Sequence, residues 1–365
     1  MVAEPIPIIG RAWSTALGDD IDDVWEALCA NRTGIKECPT TFRLKNNLAA
    51  SIQDLSESPS ERFFQLAKKT LAASIQSIDL SLYKRVALIV GTSFGARLDD
   101  PKAAEGDLDA WGQQLAEAYG IKQAIVLSTA CSSGGDVVYL AGMLIATGKY
   151  DLCICGGVDV LTDAKRLAHT ALGTLSSGEL KPFDKARTGT VLGEGAGFLV
   201  LAKENVNQQD IFAYYCGAGS ANDGAGLTAP DANAIGAIYA IQRACRESGI
   251  SPDDIGIINA HGSGTRLNDQ IELDAYRNVF QHQPIIFATK GAFGHSLGTT
   301  GSIELIALIE SLRRQQVPPI TGLDEPLEDF FTPVLKQKTG INTRYGMSLT
   351  LGFGGFDTSI IIKAA

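Results

Sequence analysis

Residues Ala124 to Gly135 read AIVLSTACSSGG. Four apolar residues predict a buried strand, small polar residues a turn around Cys131, and the apolar run Gly135 to Thr147, closed by Gly148, a buried helix. The pattern returns at Ile285 to Gly298, IIFATKGAFGHSLG, which leads into an apolar helix predicted over Gly301 to Arg314. A second pair of segments corresponds in type, VALIVGTSFG at 86–95 and IGIINAHGSG at 255–264. Each half therefore runs strand, small-residue turn, buried helix. The period far exceeds the ~20–50 residues of solenoid repeats, which points to a duplicated fold.

Further strands are predicted at Arg85–Gly91, Leu152–Gly156, Gly197–Ala202, Ile255–Asn259, Pro284–Ala288, Met347–Leu351 and Ser359–Ile362, with a helix at Ala234–Ser248. Such alternation is the signature of an α/β architecture. The charged stretch Lys203 to Asp210 interrupts it and divides the chain into expected halves, 1–205 and 206–365.

With 365 residues and 45% hydrophobic residues, the chain is long enough to bury ~75% of its unfolded surface. A formal net charge of −10 disfavours nucleic acid and anionic membranes as partners. The opening Met-Val-Ala-Glu-Pro has no basic flank before an apolar core, so no secretory signal is expected. No apolar run approaches the ~20 residues of a membrane helix. Seven cysteines without a Cys-x-x-Cys pair favour a reduced, cytoplasmic setting. Cys153 and Cys155, two apart in an apolar run, would share one face of a strand. No ligand spacing for a metal appears.

Three clusters carry chemistry. In the first, Cys131 stands where a strand gives way to a helix, and a helix N-terminus is expected to lower its thiol pKa. In the second, Asn259 to Thr265 (NAHGSGT), His261 ends a strand on a glycine-rich turn and is followed by Asp269 and Glu272. An imidazole there can donate a hydrogen bond or accept a proton. In the third, Lys290 to Gly301 (KGAFGHSLGTTG), His295 occupies another strand-to-helix turn with the Lys290 charge nearby. Each alone has a structural reading: a buried cysteine, a turn-capping histidine, a solvated lysine. Only four histidines occur, and two sit in turns that parallel the cysteine turn. His169 and His282 have no such context and read as incidental.

Together the clusters resemble the β-ketoacyl synthase family of condensing enzymes, within the thiolase fold. The resemblance rests on TACSSG (129–134), AHGSGT (260–265) with NDQIE after it (268–272), KGAFGH (290–295) and LGFGG (351–355), and on KPFDKARTGTVLGEGAG (181–197) and the opening segment 12–34. It implies a layered α-β-α-β-α fold of two similar halves, with Cys131 as nucleophile, His261 and His295 as the catalytic histidines and Lys290 as the active-site lysine. Glu272 and Asp269 would organise the histidine region and Phe353 would gate the pocket. The backbone N–H groups of Cys131 and Phe353 would form the oxyanion hole. The implied reaction is decarboxylative Claisen condensation of malonyl-acyl carrier protein with an acyl group held on Cys131, in fatty acid or polyketide and polyene biosynthesis. No bound cofactor is implied, since the substrates ride on the phosphopantetheine of an acyl carrier protein. The implied partners are that carrier and a second subunit, in a homodimer or a heterodimer with a chain-length-factor-like chain.

Alternatives remain open: a ketosynthase subunit active only with such a partner, a non-catalytic subunit, a coenzyme A thiolase, or a decarboxylase that does not condense. The lack of any cysteine after Cys245 disfavours a thiolase, and Cys131 disfavours a non-catalytic subunit. Three departures from the family pattern stand out: a short segment between Gly91 and Cys131, Phe356-Asp357 after GFGG, and Thr299-Thr300 after His295. Arg43, Lys45, Arg62, Lys68 and Lys69 are basic candidates for docking an acidic carrier.

Overall fold

A computed structural model describes residues 4–100, 107–204, 210–328 and 337–365. Its main strands are β1 (Ile6–Ser14), β2 (Val86–Gly91), β3 (Ala124–Leu127), β4 (Leu152–Asp159), β5 (Gly195–Ala202), β6 (Ala213–Asn222), β7 (Ile255–Asn259), β8 (Ile285–Phe287), β9 (Tyr345–Gly352) and β10 (Phe356–Ala364). They form one sheet in the order β8-β7-β9-β10-β6-β1-β5-β4-β2-β3. Outward from the central β1–β6 pair the two arms match, β1-β5-β4-β2-β3 against β6-β10-β9-β7-β8. The outer pairs β2–β3 and β7–β8 are parallel; β4–β5 and β9–β10 are antiparallel. The duplication read from segment types is thus present in the topology. The expected junction at 205/206 lies outside the described residues.

The helices are α1 (Ile21–Cys29), α2 (Pro59–Ser74), α3 (Ala110–Ala118), α4 (Ser133–Ala146), α5 (Asp163–Ala171), α6 (Ile235–Ser248), α7 (Arg266–Val279), α8 (Lys290–Phe293) and α9 (Thr300–Arg314). Helices α4 and α9 pack on each other between the two arms. On the outside, α2 and α3 cover the first arm, and α6 covers the second with α7 against it. The layers are therefore helix, sheet, helix, sheet, helix. Helix α9 is buried on every side from Thr300 to Leu312, as a central helix must be.

Strand alternation serves two cores. Phe198 and Val200 of β5 join Leu66 and Leu71 of α2, while Leu199 and Leu201 face the cluster with Ile145 and Ile306. Cys153 and Cys155 of β4 share that second face, as their spacing predicts. The predicted strands and helices are all present, with ends shifted by a few residues. The sequence pattern does not announce β1 or β6, because Pro7, Gly10, Gly217 and Gly219 interrupt their apolar runs.

Gly156 shows how closely the strands approach. A Cβ there would lie 2.0 Å from the carbonyl oxygen of Gly197 on β5. We expect Gly156→Ala to destabilise the fold by about 1–3 kcal/mol through overpacking, seen as a lower urea midpoint. An unchanged midpoint would refute the constraint.

Candidate active site

The two central helices begin alike. Ala130 and Leu297 have φ of 51° and 52°. Each opens a short 3-10 turn, Ala130–Ser132 before α4 and Leu297–Thr299 before α9. A left-handed non-glycine residue stores about 1–3 kcal/mol of strain and tends to mark functional turns. The first turn holds Cys131. It is fixed by Ser133 Oγ, which accepts the Thr129 N–H at 2.9 Å, and by Asp136, which accepts from Thr129 Oγ1 at 2.5 Å and Ser132 Oγ at 2.8 Å.

His261 follows β7 on a turn organised by two buried carboxylates of α7. Glu272 accepts the N–H of His261 at 2.8 Å and of Gly262 at 2.7 Å, and the Tyr276 hydroxyl at 2.9 Å. Asp269 accepts the N–H of Phe183 at 2.7 Å and of Gly264 at 3.1 Å. Burial, with Asp269 adding to it, pushes Glu272 up to about 8; burial pushes Asp269 up to about 6. Behind the His261 ring, Lys290 Nζ lies 3.2 Å from Nδ1, donates to the His261 carbonyl and pairs with Glu304. Glu304, on the apolar helix α9, is absent from the sequence expectations. Burial pushes it up to about 7, against the pull of Lys290.

His295 is tied to the 190–193 segment by its N–H to the Val191 carbonyl at 2.7 Å. Its Nδ1 lies 3.1 Å from Thr300 Oγ1 and accepts the Leu297 N–H at 3.2 Å. The departure at Thr299-Thr300 therefore supplies a hydroxyl to His295. The His261 and His295 rings stand 5.2 Å apart and nearly perpendicular. In both, Nδ1 faces a donor, so a neutral ring carries its proton on Nε2. Burial, with Lys290 next, holds both well below the ordinary imidazole range.

Phe353 sits in the three-residue hairpin between β9 and β10. The turn needs Gly354 and Gly355, with φ of 83° and 76°. The Phe353 N–H reaches Cys131, and the Phe353 ring stacks on His169 at 5.5 Å. Next to it, Asp357 is buried, and its Oδ1 has no partner among the described residues. Burial, with Asp223 next, pushes Asp357 up to about 8, so this acid after the hairpin turn is mostly neutral at pH 7.

These parts meet at a cavity of about 350 Å³, lined among others by Cys131, His169, Thr190, His261, His295 and Phe353. Lys290, Asp269 and Glu272 do not line it; they lie behind the histidines. Three expectations change. Burial pushes the Cys131 thiol up to about 11, outweighing Lys290 and the Phe353 amide, so the free thiol is not acidified. His169 is not incidental but belongs to the cavity wall. Its helix looks charged and solvated, and only the Lys165, Arg166, His169 spacing places it on a buried face. Arg62 is turned inward onto Glu194, which removes it from the docking candidates. His282 bonds the Ile255 carbonyl and does not line the cavity.

Among the described residues, no cluster of His, Cys, Asp and Glu is arranged to hold a metal, and no helix is long and apolar enough to cross a membrane. Of the short 91–131 segment, residues 101–106 lie outside the description. The rest borders a second cavity of about 1020 Å³ that reaches Leu127 and Ser128.

The histidine geometry predicts that ¹⁵N NMR finds His261 and His295 neutral, with the proton on Nε2, from pH 8 down to 6. Lowered values mean protonation only below the ordinary ~6.5. An imidazolium signal for either ring above pH 6 would contradict this.

Comparison with known proteins identifies the family. Two family models match, "Beta-ketoacyl synthase, N-terminal domain" over residues 114–207 and "Beta-ketoacyl synthase, C-terminal domain" over 212–324, together more than half of the chain. The 3-oxoacyl-[acyl-carrier-protein] synthase 2 of Mycobacterium leprae is 28% identical over 97% of this chain and 95% of its own length. The solved β-ketoacyl synthase from Burkholderia phymatum is 26% identical, with a TM-score of 0.88 and both chains fully covered. A ketosynthase from Xenorhabdus doucetiae, solved in complex with its chain length factor, is 26% identical with a TM-score of 0.82, covering 99% of this chain and 98% of that one.

Proposed function

We propose, for a chain that belongs to the β-ketoacyl synthase family and is a condensing acyltransferase, that Cys131 carries the acyl group and that His261 and His295 together activate the malonyl thioester. The observation that carries this reading is the pair of neutral imidazoles, each with Nδ1 occupied, on one cavity with Cys131.

The chemistry follows from these positions. In the first half-reaction Cys131 Sγ attacks the thioester carbonyl of an acyl group on phosphopantetheine. The oxyanion is met by the N–H groups of Cys131 and Phe353, a contribution of about 3–4 kcal/mol per donor. The carrier's C–S bond breaks, and the pantetheine thiol leaves with the proton that Cys131 gives up. Because the resting thiol is protonated, attack and proton loss must be coupled. In the second half-reaction, the Nε2–H groups of His261 and His295 bond the malonyl thioester oxygen. The bond to the carboxyl breaks, carbon dioxide leaves, and its electron pair becomes the enolate held by the two imidazoles. The enolate carbon attacks the acyl carbonyl, and Cys131 leaves as thiolate and is reprotonated. Lys290 and Glu304 keep His261 in place and in its tautomer; Glu272 and Asp269 hold its turn.

The carrier partner is proposed from the same chemistry. Arg266 is exposed and, among the described residues that line the cavity, is the one Lys or Arg, a suitable contact for the phosphate of the pantetheine arm. Arg43, Lys45, Lys68 and Lys69 are also exposed. A second subunit is favoured by the free edge of β3, half-buried along Ala124–Leu127, and by exposed Phe94, Leu98 and Leu108 nearby in the chain. That surface suits a homodimer, or the second reading, a ketosynthase paired with a chain-length-factor-like chain. We place the reaction in the cytoplasm, in keeping with seven free thiols.

Intact-protein mass spectrometry with acyl-carrier thioesters should show an adduct on Cys131 that disappears as product forms when malonyl-carrier is added. Cys131→Ala should lose the adduct while staying folded, and His295→Ala should impair malonyl decarboxylation more than loading. An adduct on the alanine variant would rule out this nucleophile, and equal loss of both half-reactions would rule out the role of His295. Arg266→Glu should raise KM for carrier-borne substrate about tenfold or more while leaving that for a small thioester little changed. Equal effects would remove Arg266 from the carrier contact.

A further inference from the structure

The hairpin that carries Phe353 is joined to a second piece of the cavity wall. The Gly354 N–H donates to the Leu227 carbonyl at 2.9 Å, and the Asp223 N–H donates to the Gly355 carbonyl at 3.1 Å. Asn222 Nδ2 donates to the Gly354 carbonyl at 2.8 Å. The same 222–231 segment supplies Thr228, Ala229 and Pro230 to the cavity lining. These hydrogen bonds hold the two pieces of the wall together.

Two carboxyl groups stand beside the junction. Asp223 is half-buried and its oxygens are both used: Oδ1 accepts the Ala225 N–H at 2.9 Å and Oδ2 the Asp231 N–H at 2.8 Å. Asp357 is 1% exposed, and its Oδ1 has no partner among the described residues. Both acids flank Gly236 of α6, where a Cβ would lie 2.2 Å from Asp357 Oδ2 and 3.0 Å from Asp223 Cβ. A buried carboxylate without a donor, next to a second carboxylate, is costly, so Asp357 keeps its proton. Burial, with Asp223 next and Glu272 of α7 after it, raises Asp357 to about 8.

The other elements around Asp357 bring no counter-charge. Ala221 of β6 and Leu351 of β9 lie opposite it in the sheet. Asp136 of α4 bonds Thr358, whose side chain belongs to the other face of β10. Glu304 of α9 is taken by Lys290 and Thr350, and the nearby Cys131 thiol is protonated. Among the described residues no Lys, Arg or His acts on Asp357.

We propose that the proton on Asp357 latches the cavity mouth: while Asp357 is neutral the 222–231 segment and the Phe353 hairpin stay joined, and loss of that proton to solvent sets two carboxylates against each other, parts the two pieces and widens the way to Cys131. For its use in catalysis the proposal rests on the acyl-cysteine reading of Cys131. In the parted arrangement water reaches both acids, so ionisation penalises the closed form alone. The open fraction therefore grows with pH from the ordinary carboxylate range up to about 8 and levels off above it.

The test alkylates the full chain with iodoacetamide and with the bulkier iodoacetanilide from pH 6 to 9, following the Cys131 peptide by mass spectrometry. The two reagents share one chemistry, so the ratio of their rates cancels the thiol's own ionisation and reads access. The ratio for iodoacetanilide over iodoacetamide should rise at least about tenfold between pH 6 and 8 and then flatten. Asp357→Asn, which keeps the shape and cannot ionise, should hold it low and flat. In the natural chain the Gly354 amide should lose hydrogen-exchange protection over the same range, once corrected for the intrinsic rate. A ratio that does not change with pH, iodoacetanilide failing to reach Cys131 at any pH, an equal rise in Asp357→Asn, or unchanged Gly354 protection overturns the latch. None of these readouts needs acyl transfer, so a latch that fails leaves the acyl-cysteine standing, and a missing acyl adduct beside a rising ratio overturns the acyl-cysteine alone.

Discussion

The close approach of helices α4 and α9 at their N-terminal ends is the constraint on which the active site depends. A Cβ on Gly134 would lie 2.8 Å from Ser302 Oγ, and one on Gly301 would lie 2.5 Å from the Gly135 nitrogen. Only small residues allow this contact, and it brings the turn carrying Cys131 against the turn that follows His295. Asp159 locks the arrangement, because one of its oxygens accepts the N–H of both Ser93 and Gly298, and its other oxygen pairs with Lys165. A bulkier residue at the crossing would move the nucleophile away from the histidines. Displacements of about an ångström are enough to cost a reaction that depends on orientation.

Around that crossing, the protein keeps several ionisable groups out of water. Glu272, Asp269, Glu304 and Lys290 are all essentially inaccessible. Removing one partner of a buried pair leaves an uncompensated charge and typically costs about 3–5 kcal/mol. Such an arrangement is an expensive way to hold a fold together, and it makes sense as a way to hold geometry. Glu272 holds the N–H groups of His261 and Gly262, Asp269 holds that of Gly264, and Lys290 meets the His261 ring and carbonyl. Both histidines thereby reach the cavity as neutral donors without using their Nε2–H groups on the protein.

What the sequence reveals of this follows from how each residue meets its neighbours. Strands β2, β4 and β5 are legible because they are buried on both faces and read as continuous apolar runs; β3 reads as buried in the same way, but it closes the sheet and is only half-buried. Strands β1 and β6 are broken by proline and glycine, and their place at the middle of the sheet comes from pairing with distant segments. Cys131, His261 and His295 are legible because each stands alone among small residues at a strand end. Glu304 is hidden as one acid in an apolar helix, where nothing local distinguishes a buried ion-pair partner from a polar interruption. His169 is hidden by charged neighbours, since Lys165 and Arg166 turn inward only because Asp159 and the carbonyls of Cys38 and Asn47 receive them. The acidity of Cys131 cannot be read from its place beside a helix start, because burial depends on the second half of the chain closing over it.

That burial decides how the site handles charge. A thiol pushed up to about 11 is almost entirely protonated at pH 7, so the enzyme does not store a thiolate. Nor does it store imidazolium, since the His261 and His295 rings are both held neutral. The Lys290 ammonium has Glu304 against it, which leaves little free positive charge to bind a resting carboxylate. On the proposed mechanism, a malonyl carboxylate entering this cavity would exchange water for a mostly neutral surrounding, whereas the enolate formed when carbon dioxide leaves would meet the two imidazole N–H donors. Interactions made with the developing charge and not with the departing one lower the barrier without tightening the resting complex.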